Sequence, residues 1–141
     1  MHKSSINRYI KHNQMIGKEI LLVGLGGGIG SIFRYLSSIL NAKYFQSAQL
    51  LATFSVNVLG CILIGIFLGL IEHQKLSNPN LKYLFITGFC GGFTTFSAFA
   101  AENMQLISTG NSFTAILYIL STVVFSLLGV FLGHYIIQNI S

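Results

Sequence analysis

The chain has 141 residues, of which 52% are hydrophobic and only 8% are charged, and its net charge is +5. An ordinary soluble domain carries roughly a quarter charged residues, so this composition excludes a water-soluble protein and predicts a membrane protein. The basic excess does not predict nucleic-acid binding, because half of it precedes the first apolar run and no basic–aromatic alternation follows. Neither Cys61 nor Cys90 has a CxxC partner, so no disulfide is predicted.

Four apolar segments are long enough to cross a bilayer, which takes about 20 residues. They predict an all-α membrane protein with a basic N-terminal segment over residues 1–16 and a four-helix transmembrane domain over residues 17–138. The predicted spans are Ile20–Leu40, Leu50–Ile71, Leu81–Leu106 and Phe113–Ile137.

The distribution of Lys and Arg predicts the orientation of these spans. With four spans, the two termini and the middle connection share one side, and six basic residues lie there against one on the other side. Because Lys and Arg stay preferentially in the cytoplasm, both termini are predicted to be cytoplasmic. The six residues are Lys3, Arg8, Lys11, Lys18, Lys75 and Lys82, and the single opposing residue is Lys43.

Glycines four positions apart occur in every span. This spacing places both glycines on one helical face, where small residues let helix backbones approach closely. The pattern predicts helix packing and specifies no function. The pairs are Gly24 and Gly28, Gly26 and Gly30, Gly65 and Gly69, Gly88 and Gly92, and Gly129 and Gly133.

Polar side chains inside the first two spans are few, and each has two interpretations. Thr53 and Asn57 share a face of the second span, where an amide can bond neighbouring helices or line a polar path. Arg34 is a charged residue well inside the first span. It either extends its charge to the nearby membrane surface or stands at the mouth of an anion path.

The fourth span carries a stripe of hydroxyl groups. Its members recur every four residues and so lie on one helical face, which indicates either a polar track or a helix interface. They are Thr114, Tyr118, Thr122 and Ser126.

The third span contains the unusual stretch GFCGGFTTFSAFAAE, residues 88–102. Adjacent glycines followed by two threonines are unfavourable in a helix, so the span is predicted to be broken in its middle. Carbonyl groups freed at such a break can bind a cation. Phe96 and Phe99 share a face, and an aromatic ring has a positive edge that can meet an anion.

Together these side chains favour transport of an anion over other functions. We find no nucleophile–base pair, metal-ligand cluster or phosphate loop, so the sequence does not predict an enzyme. One alternative is a small alternating-access exporter of drugs or metabolites, although proton coupling normally needs a carboxylate deep in the spans, which the sequence does not indicate. Another is a non-transporting subunit that stabilises a larger membrane complex.

Three stretches carry a resemblance to a known family: GGGIGSIFRY in the first span, TFSVNVLG in the second, and GFCGGFTTFSAFAAE in the third. Their order and spacing resemble those of the Fluc (CrcB) fluoride channels of bacteria. The resemblance implies a passive channel in the plasma membrane that exports fluoride and lowers its toxic level in the cell. It also implies an antiparallel dimer with two pores along the subunit interface.

The resemblance further implies roles for particular residues. A structural Na⁺ at the centre of the dimer interface would be held by the backbone carbonyls of Gly91 and Thr94. The fluoride pore would be lined by seven side chains, and two charged residues would lie toward the aqueous vestibules. The pore residues are Asn57, Phe96, Phe99, Thr53, Tyr118, Thr122 and Ser126, and the vestibule residues are Arg34 and Glu102.

Two features depart from the family pattern. Ala98 stands where a threonine is common between the two phenylalanines, which removes one hydroxyl group. The charge bias of six to one predicts a single orientation, whereas a chain that inserts both ways should have nearly balanced Lys and Arg. The second subunit is therefore either another copy of this chain or an oppositely oriented paralogue.

Overall fold

A computed structural model describes residues 2–44, 49–73 and 78–140 of the chain. In this part of the chain the protein is all α-helical, and four helical segments are long and apolar enough to cross a membrane. The segments contain the four predicted spans, so the four-span helical fold is confirmed. Lys75, which contributes to the predicted orientation, lies outside the described residues. The four segments are Met15–Lys43, Gln49–Glu72, Pro79–Ser108 and Ser112–Ile140.

The first two spans are formed by helices α1 (His2–Tyr44) and α2 (Gln49–Glu72). Helix α1 runs without interruption past residue 17, so the division of the chain at that residue stays a prediction. The fourth span is helix α6 (Ser112–Ile140).

The third span is built from several short elements. It begins with α3 (Pro79–Leu81), where the side chain of Asn78 caps the first turn by accepting from the Asn80 N–H at 3.0 Å. It continues as a π-helix over Lys82–Cys90 and a single α-helical turn, α4 (Gly91–Phe93). Long π-helices are rare and are found mostly near functional sites.

The second part of the third span is helix α5 (Phe96–Ser108). It ends at a tight turn in which Gly110 has a φ of +80°, a conformation that glycine adopts at little cost. The Asn111 N–H closes this turn on the Leu106 carbonyl at 2.8 Å, and α6 follows directly. The short connection makes α5 and α6 antiparallel neighbours.

Close glycine contacts join the four spans into two pairs. A methyl group added to Gly26 or Gly30 of α1 would overlap the backbone of the π-helix, at the carbonyls of Leu84 and Phe89. The same addition at Gly65 of α2 or Gly133 of α6 would overlap the backbone of the facing helix. The packing prediction is therefore confirmed for these glycines. Gly24 and Gly28 have no atoms near them and face away from the protomer, so their predicted packing role is not seen within one chain.

Candidate functional site

The third span bends at Thr94 and Thr95. Both residues have extended backbone, with φ and ψ of −77° and 156° at Thr94 and −148° and 114° at Thr95. Thr95 caps α5, because its hydroxyl oxygen accepts from the Ala98 N–H at 3.2 Å. Thr94 closes the preceding turn, and its N–H and hydroxyl both donate to the Cys90 carbonyl, at 3.0 and 2.9 Å.

Asn57 of α2 holds the bend from outside. Its Oδ1 accepts from the Thr95 N–H at 2.8 Å, and its Nδ2 donates to the Thr95 carbonyl at 3.2 Å. The side chain therefore takes the place of a backbone partner at a point where the helix offers none. An amide group has two N–H donors, so one remains for a further acceptor.

These bonds redirect two donors of the third span. In a continuous α-helix the Thr95 N–H would bond to the Gly91 carbonyl, and the Ala98 N–H would bond to the Thr94 carbonyl. Here the two N–H groups bond to the side chains of Asn57 and Thr95 instead. Gly91 and Thr94, the two residues predicted to bind a cation, are thus among the residues of the bend whose carbonyls lose their usual helical donors.

An open groove of about 330 Å³ lies on the fourth-span side of the bend. It brings together most of the predicted pore residues, but it excludes Thr53 and Tyr118. Cys61 also lines it, which the sequence did not single out. The predicted residues on its wall are Asn57, Phe96, Phe99, Thr122 and Ser126.

The two phenylalanines of the groove differ in exposure. The Phe96 ring is 79% exposed, whereas the Phe99 ring is 8% exposed and packs against Tyr118 with ring centroids 5.3 Å apart. The two rings lie 5.7 Å apart at an interplanar angle of 45°. Thr122 is buried beside them, and its hydroxyl finds no hydrogen-bond partner among the described residues. The wall of the groove therefore includes a hydroxyl that is buried and has no partner among the described residues.

Glu102 is the centre of a second group. Its carboxylate is buried, with 6% of the residue exposed, and accepts from the Thr53 hydroxyl at 2.6 Å and from the Tyr118 hydroxyl at 2.7 Å. The two hydrogen bonds join α2 and α6 to α5 through this one side chain. Glu102 is buried between three helices, although it lies toward the end of the third span, Pro79–Ser108.

Glu102 and Arg34 line one cavity of about 280 Å³, on the opposite side of the bend from the groove. Thr53 and Thr95 also line it, and Thr95 is shared with the groove. The sequence predicted that Arg34 and Glu102 lie in aqueous vestibules, and their common cavity agrees with a shared surrounding. It did not identify Thr95, although its place after two glycines and a first threonine marked the stretch as unusual.

Comparison with known proteins places the chain in a family. A family model described as "CrcB-like protein, Camphor Resistance (CrcB)" matches residues 21–134. A protein of Azobacteroides pseudotrichonymphae named "Fluoride-specific ion channel FluC" is 49% identical over 83% of this chain and 94% of its own length. Proteins of the same name from Flavobacterium psychrophilum and Phocaeicola vulgatus are 44% and 43% identical. They are covered over 99% and 95% of their lengths, and they cover 87% and 82% of this chain. The chain is therefore a multi-pass membrane protein that belongs to the CrcB family.

Proposed function

We propose that this chain is a subunit of a passive, fluoride-selective channel that exports F⁻ from a bacterial cytoplasm. The observation that carries the proposal is the groove in a chain of the CrcB family, whose wall holds two phenylalanines and a threonine hydroxyl with no partner among the described residues. Relatives similar over most of their length are named fluoride-specific ion channels. A channel has no reaction to catalyse, so we assign no catalytic residues.

The chemistry of the groove suits a small, strongly hydrated anion. Such an ion crosses a membrane only if donors replace its water. The buried Thr122 hydroxyl has no partner among the described residues, and a rotation of its side chain would turn it toward the groove that Thr122 lines. Ser126 adds a second hydroxyl on the same wall. The edges of Phe96 and Phe99 offer positive potential without a full charge, so they can attract an anion without trapping it.

Tyr118 and Thr53 have a different proposed role from the one that the sequence suggested. Their hydroxyls bond to Glu102, so they act on an anion through that carboxylate and not from the groove wall. We propose that Arg34 attracts anions into the cavity and that the bonded Glu102 limits how tightly they are held there.

We propose that the bend of the third span holds a structural Na⁺. Gly91 and Thr94 have carbonyl oxygens whose helical donors are bonded elsewhere, and hard cations prefer such oxygen ligands. A bound cation lowers the electrostatic barrier to an anion between apolar helices. The proposal predicts that Na⁺ raises the thermal stability of the purified protein more than K⁺ does. Equal stability in the two salts contradicts it.

The groove is open on the surface of one protomer, which supports completion of the pore by a second subunit. We propose an antiparallel dimer in the bacterial inner membrane, with the Na⁺ at its interface. The partner is either a second copy or an oppositely oriented paralogue. In the second case both termini of this chain are cytoplasmic, as its basic residues predict. A tagged topology assay that finds both orientations of this chain in one membrane excludes the paralogue as a requirement.

One observation favours the exporter as a second candidate. Buried carboxylates often carry protons in coupled transporters, and Glu102 is buried. The relatives of this chain are named ion channels, which favours the passive channel over the exporter.

Fluoride efflux from liposomes tests the proposal directly. The purified chain is reconstituted with a potassium fluoride load, valinomycin is added, and an electrode follows fluoride release beside a matched chloride load. Release of fluoride without chloride, at a rate independent of the pH gradient, is expected. Release that needs a pH gradient supports the exporter. If the folded chain releases no fluoride alone and still releases none after addition of a paralogue with the opposite charge bias, the channel proposal is contradicted.

A further inference from the structure

Helix α1 is longer than a membrane crossing requires. Its 43 residues correspond to about 65 Å at 1.5 Å per residue, whereas the hydrocarbon core is about 30 Å thick. The apolar span within it begins at Met15, and the helix continues toward the N-terminus as far as His2. We call residues 2–16 the N-terminal extension.

The N-terminal extension lies outside the part of the chain that the family shares. The family match begins at residue 21, and the similar channels are covered over 94–99% of their own lengths but cover 82–87% of this chain. The fold of the channel therefore does not account for the extension, which needs an explanation of its own.

The extension has two different sides when its sequence is placed on an α-helix. The basic residues fall on one side, and no acidic residue precedes Glu19. Most apolar residues recur at helical spacing on the other side, whereas Met15 falls among the basic residues. The basic side carries Lys3, Arg8, Lys11 and, at the start of the span, Lys18, and the apolar side carries Ile6, Tyr9, Ile10 and Ile16.

We propose that the N-terminal extension is an amphipathic helix that binds the headgroups of anionic lipids where the first span enters the membrane. Basic residues at the surface are attracted to anionic headgroups, and an apolar side can enter the boundary between headgroups and acyl chains. The covalent link to the span keeps the extension beside the bilayer, which raises its effective concentration there. Gly17 stands at the junction, within the continuous helix α1, and glycine is the weakest helix former after proline.

This proposal does not depend on which ion the protein conducts. It rests on charge complementarity, on the helical spacing of the extension, and on its continuity with a membrane span. Its failure would leave the fluoride channel untouched, and failure of the channel proposal would leave lipid binding untouched.

The absence of tryptophan from the chain provides a direct test. Full-length Tyr9→Trp has a single tryptophan, on the apolar side of the extension, and is reconstituted into phosphatidylcholine vesicles with or without phosphatidylglycerol. With phosphatidylglycerol, the emission is expected to shift to the blue and to be quenched by brominated lipid. In phosphatidylcholine alone, or in high salt, neither change is expected, because salt screens surface charge.

Two matched variants complete the test. Ser4→Trp places the probe on the basic side, where a smaller shift and weaker quenching are expected. A second variant changes Lys3, Arg8 and Lys11 together to Gln in the Tyr9→Trp chain. The ratio of lipid-bound to unbound extension should fall about 100-fold, because each basic residue typically contributes about 1 kcal/mol of attraction. Three results would each overturn the proposal. They are an emission maximum that does not change with phosphatidylglycerol, equal quenching of the two probes by brominated lipid, and an unchanged blue shift in the Gln variant. Far-ultraviolet circular dichroism of each reconstituted variant checks that it is folded.

Discussion

The two halves of the third span are held in place by different means. Before the bend, the π-helix lies backbone against backbone on α1, at contacts where glycines leave no room for a side chain. After the bend, α5 is held by side chains, through the ring contact of Phe99 with Tyr118 and the hydrogen bonds of Glu102. The first half is a rigid support, and the second half carries the groups that can meet an ion.

The difference shows why the bend matters. Backbone packing against glycine fixes a helix closely but leaves no side chain available at the contact. Side-chain packing leaves polar residues such as Thr95 and Ser126 on the wall of the groove. Asn57 contacts the third span at the bend, where backbone packing gives way to side-chain packing. Its two hydrogen bonds to Thr95 attach the bend to α2.

Loss of this connection should have the largest effect on stability. Asn57→Leu leaves the N–H and carbonyl of Thr95, a buried residue, without partners. We expect a loss of about 4 kcal/mol, since each unsatisfied group costs about 1–3 kcal/mol. Asn41→Leu is the matched control, because the Asn41 amide bonds only within α1, to the Ser37 carbonyl. Denaturation of the purified proteins, followed by circular dichroism, compares them, and equal stability would contradict a special role for Asn57.

The next largest effect is expected in the first half. Gly26→Ala places a methyl group onto the Leu84 carbonyl and 2.9 Å from the Phe89 nitrogen, so the helices must move apart. We expect a loss of about 3 kcal/mol from this overpacking. Gly28→Ala, two residues away, meets nothing within the protomer and should be neutral or slightly stabilising for the single chain. The same unfolding measurement applies, and a neutral Gly26→Ala would show that the two spans are not closely packed.

In the second half, a smaller loss is expected for a single hydrogen bond. Tyr118→Phe removes one donor from the Glu102 carboxylate, which should cost about 2 kcal/mol, as is typical of bonds to charged groups. Thr122→Val removes a hydroxyl that has no partner among the described residues and should change stability by less than about 0.5 kcal/mol. Equal effects on unfolding would mean that the Tyr118 bond does not stabilise the fold.

These comparisons also show how far the sequence could predict the structure. Length and hydropathy predict the four spans, because a bilayer requires about 20 apolar residues whatever the packing. Spacing alone does not distinguish Gly26 from Gly28, since both belong to pairs four residues apart. Only the position of the π-helix in the structure shows that Gly26 contacts a neighbouring helix and Gly28 does not.

The sequence suggested several residues that line the groove, but it did not predict the hydrogen bonds between them and their neighbours. The groove collects Asn57, Phe96 and Phe99 as the sequence suggested. Thr53 and Tyr118 are 65 positions apart in the chain and meet only at Glu102, a contact that depends on how three helices pack. Helical periodicity describes one helix at a time, so it could not predict a contact that joins hydroxyl groups of two helices to a carboxylate of a third.

The smallest effect on stability should accompany a clear effect on transport. Phe96→Leu changes a ring that is 79% exposed, so unfolding should shift by less than about 0.5 kcal/mol. The ring edge in the groove is lost, and fluoride efflux should fall about fivefold, which corresponds to about 1 kcal/mol of barrier. Phe113→Leu is the control, because Phe113 is 75% exposed and lies outside the groove. A loss of efflux at Phe96 alone would assign the ring to ion passage, since neither position supports the fold. Equal efflux from the two variants would leave the groove without its proposed role, even in a protein that conducts fluoride.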